Sequence, residues 1–176
     1  KNEGADVFFA PVSTEAAALI IEQANAQSLG IPMMAGDTWD SNVILNAAKG
    51  TKTDIYVTTF FDEGTNDEQG AKFVKGIKEW IKANPTNLSN NGGDDTIAAV
   101  SAMGYDAYFT ALEAIKAAGS ADPKAVNDAL WKVDYTGISG RIVFNETGDA
   151  VRDAAFVKKV NTETGKWEFV AIQGVK

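Results

Sequence analysis

The sequence predicts an α/β protein in which strands and helices alternate at first, helices follow, and β-structure returns at the end. Short β-branched and aromatic runs alternate with amphipathic helical segments over residues 7–59. Helical periodicity continues to Lys132, and alternating apolar residues reappear after Ile138. The sequence has no internal repeat. A chain that leaves one sheet, builds helices elsewhere and comes back is typical of two lobes joined by crossing segments.

The composition excludes several function classes. The 176-residue chain is 45% apolar and 23% charged, as in a globular protein, and no apolar run approaches the ~20 residues that a membrane-spanning helix needs. A net charge of −8 disfavours nucleic acid, because binding phosphates needs a concentrated Lys/Arg surface. The sequence contains neither cysteine nor histidine, which removes thiolate chemistry and the commonest general base. We therefore predict no catalytic residue, no cofactor and no metal site.

The first strand and helix are predicted within residues 7–30. The run Val-Phe-Phe-Ala at 7–10 has the composition of a buried parallel strand. A helix is expected from Thr14, with Ser13 as the N-cap that accepts the first free amides, and Gly30 ends it. The segment is therefore a strand-to-helix unit.

Two further strands continue this pattern. Residues 31–35 and 54–59 are predicted strands, separated by a loop at 36–41 and a short helix at 43–48. Strands that alternate with helices imply parallel pairing through right-handed crossovers. Because three parallel strands are too few for a stable sheet of this kind, we expect the sheet to be incomplete.

The middle of the chain is predicted to be helical. Four apolar residues define one face of a first helix: Phe73, Ile77, Trp80 and Ile81. A polar loop is expected at 87–93, then a largely buried helix at 96–118. Asp122-Pro123 supplies an N-cap and a first-position proline for a helix that reaches about Lys132.

The carboxyl-terminal stretch is predicted to return to β-structure. Alternating apolar residues indicate a strand around 138–144, and residues 145–149 form a turn. A hairpin is expected from residues 156–160 and 167–172.

Loops that follow parallel strands converge at one edge of an open α/β sheet, where ligands bind. In this sequence those loops are 11–14, 36–41 and 58–61. They offer a helix N-terminus at Ser13, which favours an anion, and a carboxylate at Asp37, which favours a cation. Together these groups suit a zwitterion such as an amino acid.

The same residues also have simpler interpretations. Ser13 can serve only as an N-cap and Asp37 only as a turn residue, since capping is the commoner use of both residue types. Trp39 can pack over a ligand or anchor its loop on the sheet. The acidic pairs at 62–63 and 94–95 lack the alternating oxygen ligands of a calcium loop, and we interpret them as solvated.

Four separated segments resemble a known family: ADVFFAP at 5–11, GDTWDS at 36–41, GYDA at 104–107 and GISGRIVF at 137–144. With them the chain resembles the solute-binding proteins of ABC transporters, most closely the branched-chain amino acid (leucine/isoleucine/valine) branch of the type I periplasmic binding proteins. The resemblance covers essentially the whole chain, in order. It corresponds to the second part of such a protein, so we expect the chain to be a piece of a longer one.

The resemblance implies a type I periplasmic-binding-protein fold: two Rossmann-like lobes of parallel sheet flanked by helices, here only the C-terminal part. Residues 1–61 then belong to the second lobe, and 62–153 are helices and a strand of the first lobe. Residues 154–176 form a β-hairpin that returns to the second lobe. The chain is expected to cross the hinge near 61–64 and 154–156.

The resemblance also implies a function. Such proteins capture a small polar solute, here an amino acid, in a hinge cleft and present it to an ABC permease, so the chain is not expected to be an enzyme. In the family an acidic residue pairs with the ligand ammonium, and that position corresponds to Asp37. The loop that lies against the ligand corresponds to Val12 and Ser13. Trp39 and Phe60 complete the set of predicted ligand-binding residues.

Further expectations concern location and partners. The resemblance implies a periplasmic or extracellular protein, with a lipid anchor through the missing N-terminus as one option. The predicted partners are the amino acid, the permease and the missing N-terminal half. Without that half, we expect the isolated chain to pair with it, form a swapped oligomer or change its packing, because apolar faces are left open.

Two alternatives remain open. One is a sensory ligand-binding domain of the same fold. The other is a freestanding flavodoxin-like regulatory domain in which Asp37 or Asp54 does the work. The second ranks lower, because no strand-end lysine accompanies Asp37 and Asp54 begins its strand.

Overall fold

Strands and helices alternate along the first third of the chain, as predicted. The computed structural model describes residues 3–64 and 67–174. The elements, in order, are β1 (Phe8–Phe9), α1 (Thr14–Ala26), β2 (Met33–Ala35), a 3-10 turn (Asp37–Trp39), α2 (Asn42–Ala48), β3 (Ile55–Thr59), α3 (Glu68–Lys82), α4 (Pro85–Asn90), α5 (Ala99–Ala118), α6 (Pro123–Leu130), β4 (Tyr135–Gly137), β5 (Gly140–Ile142), β6 (Ala154–Asn161) and β7 (Lys166–Gly174). We call β1–β3, β6, β7, α1 and α2 the sheet part, and α3–α6 with β4 and β5 the helical part.

One sheet of five strands joins the beginning of the chain to its end. β1, β2 and β3 are parallel neighbours, as predicted, with Met33 in register between Phe8 and Ile55. β6 then pairs antiparallel with β3, and β7 with β6, which gives the order β1-β2-β3-β6-β7. The expectation of an incomplete sheet is therefore wrong in strand number, because the carboxyl-terminal hairpin supplies two more strands. The β6–β7 pairing skips Val170, which forms a β-bulge.

The helices of the sheet part cover one face of the sheet. α1 and α2 contribute Ile21 and Ile44 to a buried apolar cluster that also contains Met33. On the opposite face, Met34 is 38% exposed, whereas Met33 is 0% exposed. The expectation that the first strand is buried is wrong: β1 is a two-residue edge strand, and Phe9 is 64% exposed. In the described part of the chain, one face of the sheet is thus left open.

The helical part has a smaller apolar cluster. Its buried members are Phe61, Phe73, Ile97, Ala99 and Ala102. The expectation that the long helix is largely buried is wrong, because α5 buries only one stripe of mostly small residues, while Val100 and Tyr108 are exposed. Trp80, on the predicted apolar face of α3, is exposed too. No helix in the described residues is long and apolar enough to span a membrane.

A buried carboxylate connects α5 to the β4–β5 hairpin in the helical part. β4 and β5 form a two-stranded hairpin where a single strand was expected around residues 138–144. The Asp106 side chain, which is buried in α5, accepts hydrogen bonds from the amide of Ile138 (2.8 Å) and from the amide and hydroxyl of Ser139 (both 2.6 Å). These bonds fasten the β4–β5 turn to α5.

Local rules explain the remaining differences from the predicted elements. The polar loop expected at 87–93 is replaced in part by α4, because Asn84 accepts a hydrogen bond from the Thr86 amide and Pro85 fits the first helical position. Ser13 occupies the N-cap of α1 but makes no capping hydrogen bond with its side chain. α6 ends at Leu130, slightly before the predicted Lys132.

Candidate ligand-binding site

Asp37 begins the 3-10 turn that follows β2. The turn is closed by backbone bonds from the amide of Trp39 to Gly36 and from the amide of Asp40 to Asp37. The Asp37 side chain is half-buried, and within residues 3–64 and 67–174 it makes no side-chain hydrogen bond or ion pair. A partly buried carboxylate without a partner is free to receive a cation.

Two hydrogen bonds hold the β1–α1 loop against this turn. The Thr14 hydroxyl donates to the Thr38 carbonyl (2.8 Å), and the Thr38 hydroxyl donates to the Val12 carbonyl (3.3 Å). Val12 packs on the edge of the apolar cluster, and Ser13 is exposed. The structure therefore brings three of the predicted site residues together: Val12, Ser13 and Asp37.

The N-terminus of α1 adds unpaired donors to this corner. The first bond within the helix runs from the Ala17 amide to the Ser13 carbonyl. The amides before Ala17 have no acceptor inside the helix, and the Ser13 hydroxyl is not used as a cap. This end of α1 can therefore offer donors to an acidic or polar group.

Trp39 and Phe60 have other contacts. Trp39 is 0% exposed within the apolar cluster, so it anchors the turn on the sheet, and its side chain has no surface to offer a ligand. Phe60 is half-buried, and the Arg152 guanidinium lies 5.0 Å from its ring centroid. Arg152 also donates to the carbonyl of Ser139 (2.7 Å). Phe60 thus lies where the chain leaves the sheet part, beside the segment on which it returns.

A buried ion pair stands directly behind the turn. The Asp40 carboxylate accepts from the Lys158 ammonium (2.8 Å) and from the Thr59 hydroxyl (2.9 Å), both through Oδ2. The side chains of Asp40 and Lys158 are 0% and 2% exposed. Burial raises the pKa of the Asp40 carboxyl above its ordinary value, against the opposing effects of Lys158, Thr59 and the Ala99 amide. The desolvation of this carboxylate outweighs the attractions that surround it.

Neither Asp40 nor Lys158 was predicted from the sequence as a member of a buried pair, although a signal was present. Lys158 lies between Phe156 and Val160 at a spacing of two, so strand periodicity directs it to the same side as its apolar neighbours. A lysine at an inward position needs a buried acidic partner. Asp40, immediately after the buried Trp39, was a candidate for that partner.

The acidic loops carry structural bonds rather than lying free in solvent. Glu63 contacts Lys78 (2.5 Å) and accepts from the Ile97 amide (2.6 Å). Asp95 pairs with Lys82 at 2.7 Å. The interpretation of these pairs as solvated is therefore corrected. In residues 3–64 and 67–174 no group of three or more acidic side chains is arranged to hold a metal ion.

Solved solute-binding proteins share this fold. The chain aligns with the leucine-binding protein LivK of Thermotoga maritima MSB8 at 26% identity and a TM-score of 0.79, covering 98% of this chain and 46% of that one. It aligns with LivJ of Streptococcus pneumoniae in complex with isoleucine at 19% identity and a TM-score of 0.70, covering 98% and 46%. A Rhodopseudomonas palustris (R. palustris) solute-binding protein in complex with benzoate gives 18% identity, a TM-score of 0.74 and coverage of 98% and 44%.

The family follows from a second comparison. The periplasmic binding protein family matches residues 1–166, and the chain belongs to that family. The fold is that of the type I periplasmic binding proteins. This chain spans less than half the length of the solved examples above. A comparison with curated proteins finds no match.

Proposed function

We propose that this chain forms one wall of the solute site of an ABC importer's binding protein, and that Asp37 receives the ammonium group of an amino acid. The observation that carries the proposal is the unpartnered, half-buried Asp37 carboxylate at the end of a parallel strand, held beside the N-terminus of α1. The structures solved with isoleucine and leucine support an amino acid as the ligand class.

Charge explains why Asp37 would select such a ligand. A carboxylate that is partly removed from water gains more from an ammonium ion than an exposed one does, because the local dielectric is lower. Benzoate, the ligand in the R. palustris structure, has a carboxylate but no ammonium. The two ligand types therefore separate the Asp37 contact from any general affinity for acids.

The test is a titration with L-leucine of the longer protein of which this chain is proposed to form one wall, followed by NMR so that weak binding is measurable. Asp37→Asn should weaken L-leucine binding by about 2 to 4 kcal/mol, roughly 30- to 1,000-fold, as for a charge left unpaired. Asp54→Asn is the matched control, since Asp54 already pairs with Lys159 at 2.7 Å, and its affinity should equal that of the wild type. Unchanged L-leucine affinity in Asp37→Asn, or benzoate binding that is equally sensitive to it, would contradict the proposal.

We propose in addition that the two parts of the chain belong to two lobes of a hinged clamp. In this proposal residues 1–61 and 154–176 belong to one lobe and 62–153 to the other, with the hinge near residues 61–64 and 154–156. Hinge closure around a solute is a common way to present a closed form to a partner, here an ABC permease. Membership of the periplasmic binding protein family supports a periplasmic or extracellular location for the working protein.

We also propose that the chain works together with a first half from a longer protein. The open sheet face and the exposed residues of α5 support this, since large uncovered apolar surfaces mark interaction sites. The isolated chain should then associate, either with such a half or with itself. Light scattering that finds a monodisperse monomer with a cooperative melt would count against this expectation.

A further inference from the structure

The N-terminus of α2 contacts the loop at residues 91–96. Asn42, the first residue of α2, is 9% exposed. Its side-chain amide donates to the carbonyl of Asn91 (2.6 Å) and to the carboxylate of Asp94 (2.8 Å). Because an amide nitrogen carries two N–H groups, both of its donors are used. These two bonds join the sheet part to the helical part, and we call them the Asn42 contact.

The loop at 91–96 is held in shape by bonds of its own. The Asn91 side chain donates to the carbonyls of Asp94 (2.8 Å) and Thr96 (2.9 Å). The Thr96 amide donates to Asp94 Oδ1 (2.8 Å), the same oxygen that accepts from Asn42. Both acceptors of the Asn42 amide are therefore held in place independently of Asn42, which lowers the entropy cost of forming the contact.

Gly92 lets the loop approach Asn42 closely. Its φ of +79° lies in the left-handed region that favours glycine. A Cβ at this position would lie 3.1 Å from Asn42 Nδ2 and 3.3 Å from Asn42 Cβ, which is tighter than ordinary contact. The neighbouring Gly93 has a φ of +92°, but a Cβ there would meet nothing within 4 Å. The two glycines thus share a backbone requirement, and Gly92 is constrained by Asn42 as well.

The position of Asn42 relates this contact to the candidate site. Asn42 comes five residues after Asp37, beyond the carboxyl end of β2, where the predicted ligand-binding residues lie. Its partners belong to the helical part. A hinge motion that separates the two parts at this edge would break both bonds, and a motion that brings the parts together would form them.

We propose that Asn42 is a positioning residue that favours the closed arrangement of the two parts and so raises solute affinity without touching the solute. The inference rests on the proposed function, since it takes the two parts to be lobes of a hinged clamp. When a protein must close to hold its ligand, the apparent affinity is reduced by the fraction of molecules in the closed arrangement. A contact that forms on closure raises that fraction.

The experiment uses the longer protein and has two readouts. One is the L-leucine affinity by NMR titration, and the other is the distance between spin labels on α1 and α6, one in each part. Asn42→Ala removes both bonds and keeps a good helix former in α2. We expect L-leucine affinity to fall by about 5- to 30-fold, as for two lost hydrogen bonds, and the distance without ligand to increase. Saturating L-leucine should restore the wild-type distance.

Asn145→Ala is the matched control. The Asn145 side chain also makes several bonds, accepting from the amides of Thr147 (3.0 Å) and Asp149 (2.9 Å), but these lie within one turn of the helical part. This variant should be less stable than the wild type, with the same L-leucine affinity and the same distance between labels. If Asn145→Ala changed both readouts as much as Asn42→Ala does, the inference would be overturned.

A pair of glycine variants covers the case in which Asn42→Ala does not fold. Gly92→Ala and Gly93→Ala introduce similar backbone strain, because both positions have a positive φ. Gly92→Ala also pushes against the Asn42 side chain. It should therefore weaken L-leucine binding and lengthen the label distance more than Gly93→Ala does. Equal effects in the two variants would count against the Asn42 contact.

The two readouts separate this inference from the proposed function. If the wild type binds L-leucine and Asn42→Ala changes neither readout, the inference fails and the proposed function stands. A loss of affinity at an unchanged distance would also overturn the inference, because it would place Asn42 in the solute site itself. If the wild type does not bind L-leucine, the proposed function fails, and the label distance without ligand still decides whether Asn42 holds the two parts together.

Discussion

The sheet part and the helical part are stabilised in different ways. In the sheet part a continuous apolar cluster runs from α1 through the strands to β6. In the helical part the apolar cluster has five buried members among the residues that the structure describes, and one of them, Phe61, lies on the segment that leaves the sheet. Hydrogen bonds contribute more to the structure there: Asp106 accepts bonds from the β4–β5 turn, and Glu63 accepts one from the Ile97 amide. The sheet part has an almost complete apolar core, whereas the helical part does not.

The largest expected effect is in the sheet part. Ile44→Ala removes a fully buried side chain from the cluster and should lower the free energy of unfolding by about 2 to 5 kcal/mol. Val100→Ala, in the helical part, truncates a side chain that is 57% exposed and should change it by less than about 0.5 kcal/mol. Urea unfolding measures both. Similar losses in the two variants would mean that α5 is packed more tightly than its exposure indicates.

The next effect tests the polar closure of the helical part. A Cβ at Gly137 would lie 2.2 Å from Asp106 Oδ1, so Gly137→Ala must push the carboxylate off its donors. We expect a loss of about 1 to 3 kcal/mol, the cost of leaving buried polar groups unpaired. Gly76→Ala in α3 is the control, because its Cβ would meet nothing within 4 Å. That change should stabilise the chain by about 0.5 to 1 kcal/mol through helix propensity. A Gly137→Ala variant as stable as the wild type would show that Asp106 does not hold the turn.

A smaller expected effect concerns how the free energy of unfolding depends on pH in the two parts. Lys82 holds the pKa of Asp95 below its ordinary value of 3.8, so this contact stabilises the fold above that value and loses its effect as the pH falls through the folded pKa. Asp40 has the opposite sign, because its raised pKa makes deprotonation costly as the pH rises. Asp95→Asn should therefore lose less stability than the wild type between neutral pH and about pH 3, as measured by urea midpoints. If the urea midpoints of the wild type and Asp95→Asn fell equally with pH, the Lys82–Asp95 contact would not contribute to the pH dependence of stability.

The smallest expected effect concerns the exposed aromatic residues of the helical part. Tyr108 is 62% exposed on α5, so Tyr108→Ser should change the free energy of unfolding by less than about 0.5 kcal/mol. If α5 carries the surface through which the chain associates, the same change should lower the apparent mass in light scattering. Phe9→Ser on the open sheet edge is the matched variant. A drop in mass for Phe9→Ser alone would move the association surface to the sheet part.

Much of the sheet part could be predicted from the sequence, since periodicity and turn residues act locally. Strands β2 and β3 and the helices α1 and α2 lie close to their predicted positions. The burial of α5 could not be predicted, because an Ala-rich helix looks apolar whichever neighbours it has, and its neighbours are set by tertiary structure. The exposure of β1 has the same origin, since strand composition does not reveal an edge.

The structure brings three of the five predicted site residues together, but the contacts that support them could not be predicted from the sequence. The loop positions of Val12, Ser13 and Asp37 follow from strand order, and the structure brings them together. The hydrogen bonds of the Thr14 and Thr38 hydroxyls join residues 24 and 26 positions apart, and the Asp40–Lys158 pair joins segments much further apart. Such long-range contacts have no local sequence signal beyond an inward-facing lysine.

The bulge at Val170 has a consequence for how the carboxyl-terminal hairpin tolerates changes in length. On either side of it, β7 keeps step with β6: Trp167 opposes Val160, and Ile172 opposes Phe156. Loss of the one surplus residue would straighten the strand without changing which side chains point inward. If the bulge is kept, deletion of Glu168 would instead place Lys166, rather than Trp167, opposite Val160, and would bring a charged side chain toward the core. Val170 is thus a position at which β7 can lose a residue without changing which side chains face the core. Lys158, beside the bulge, would keep its position.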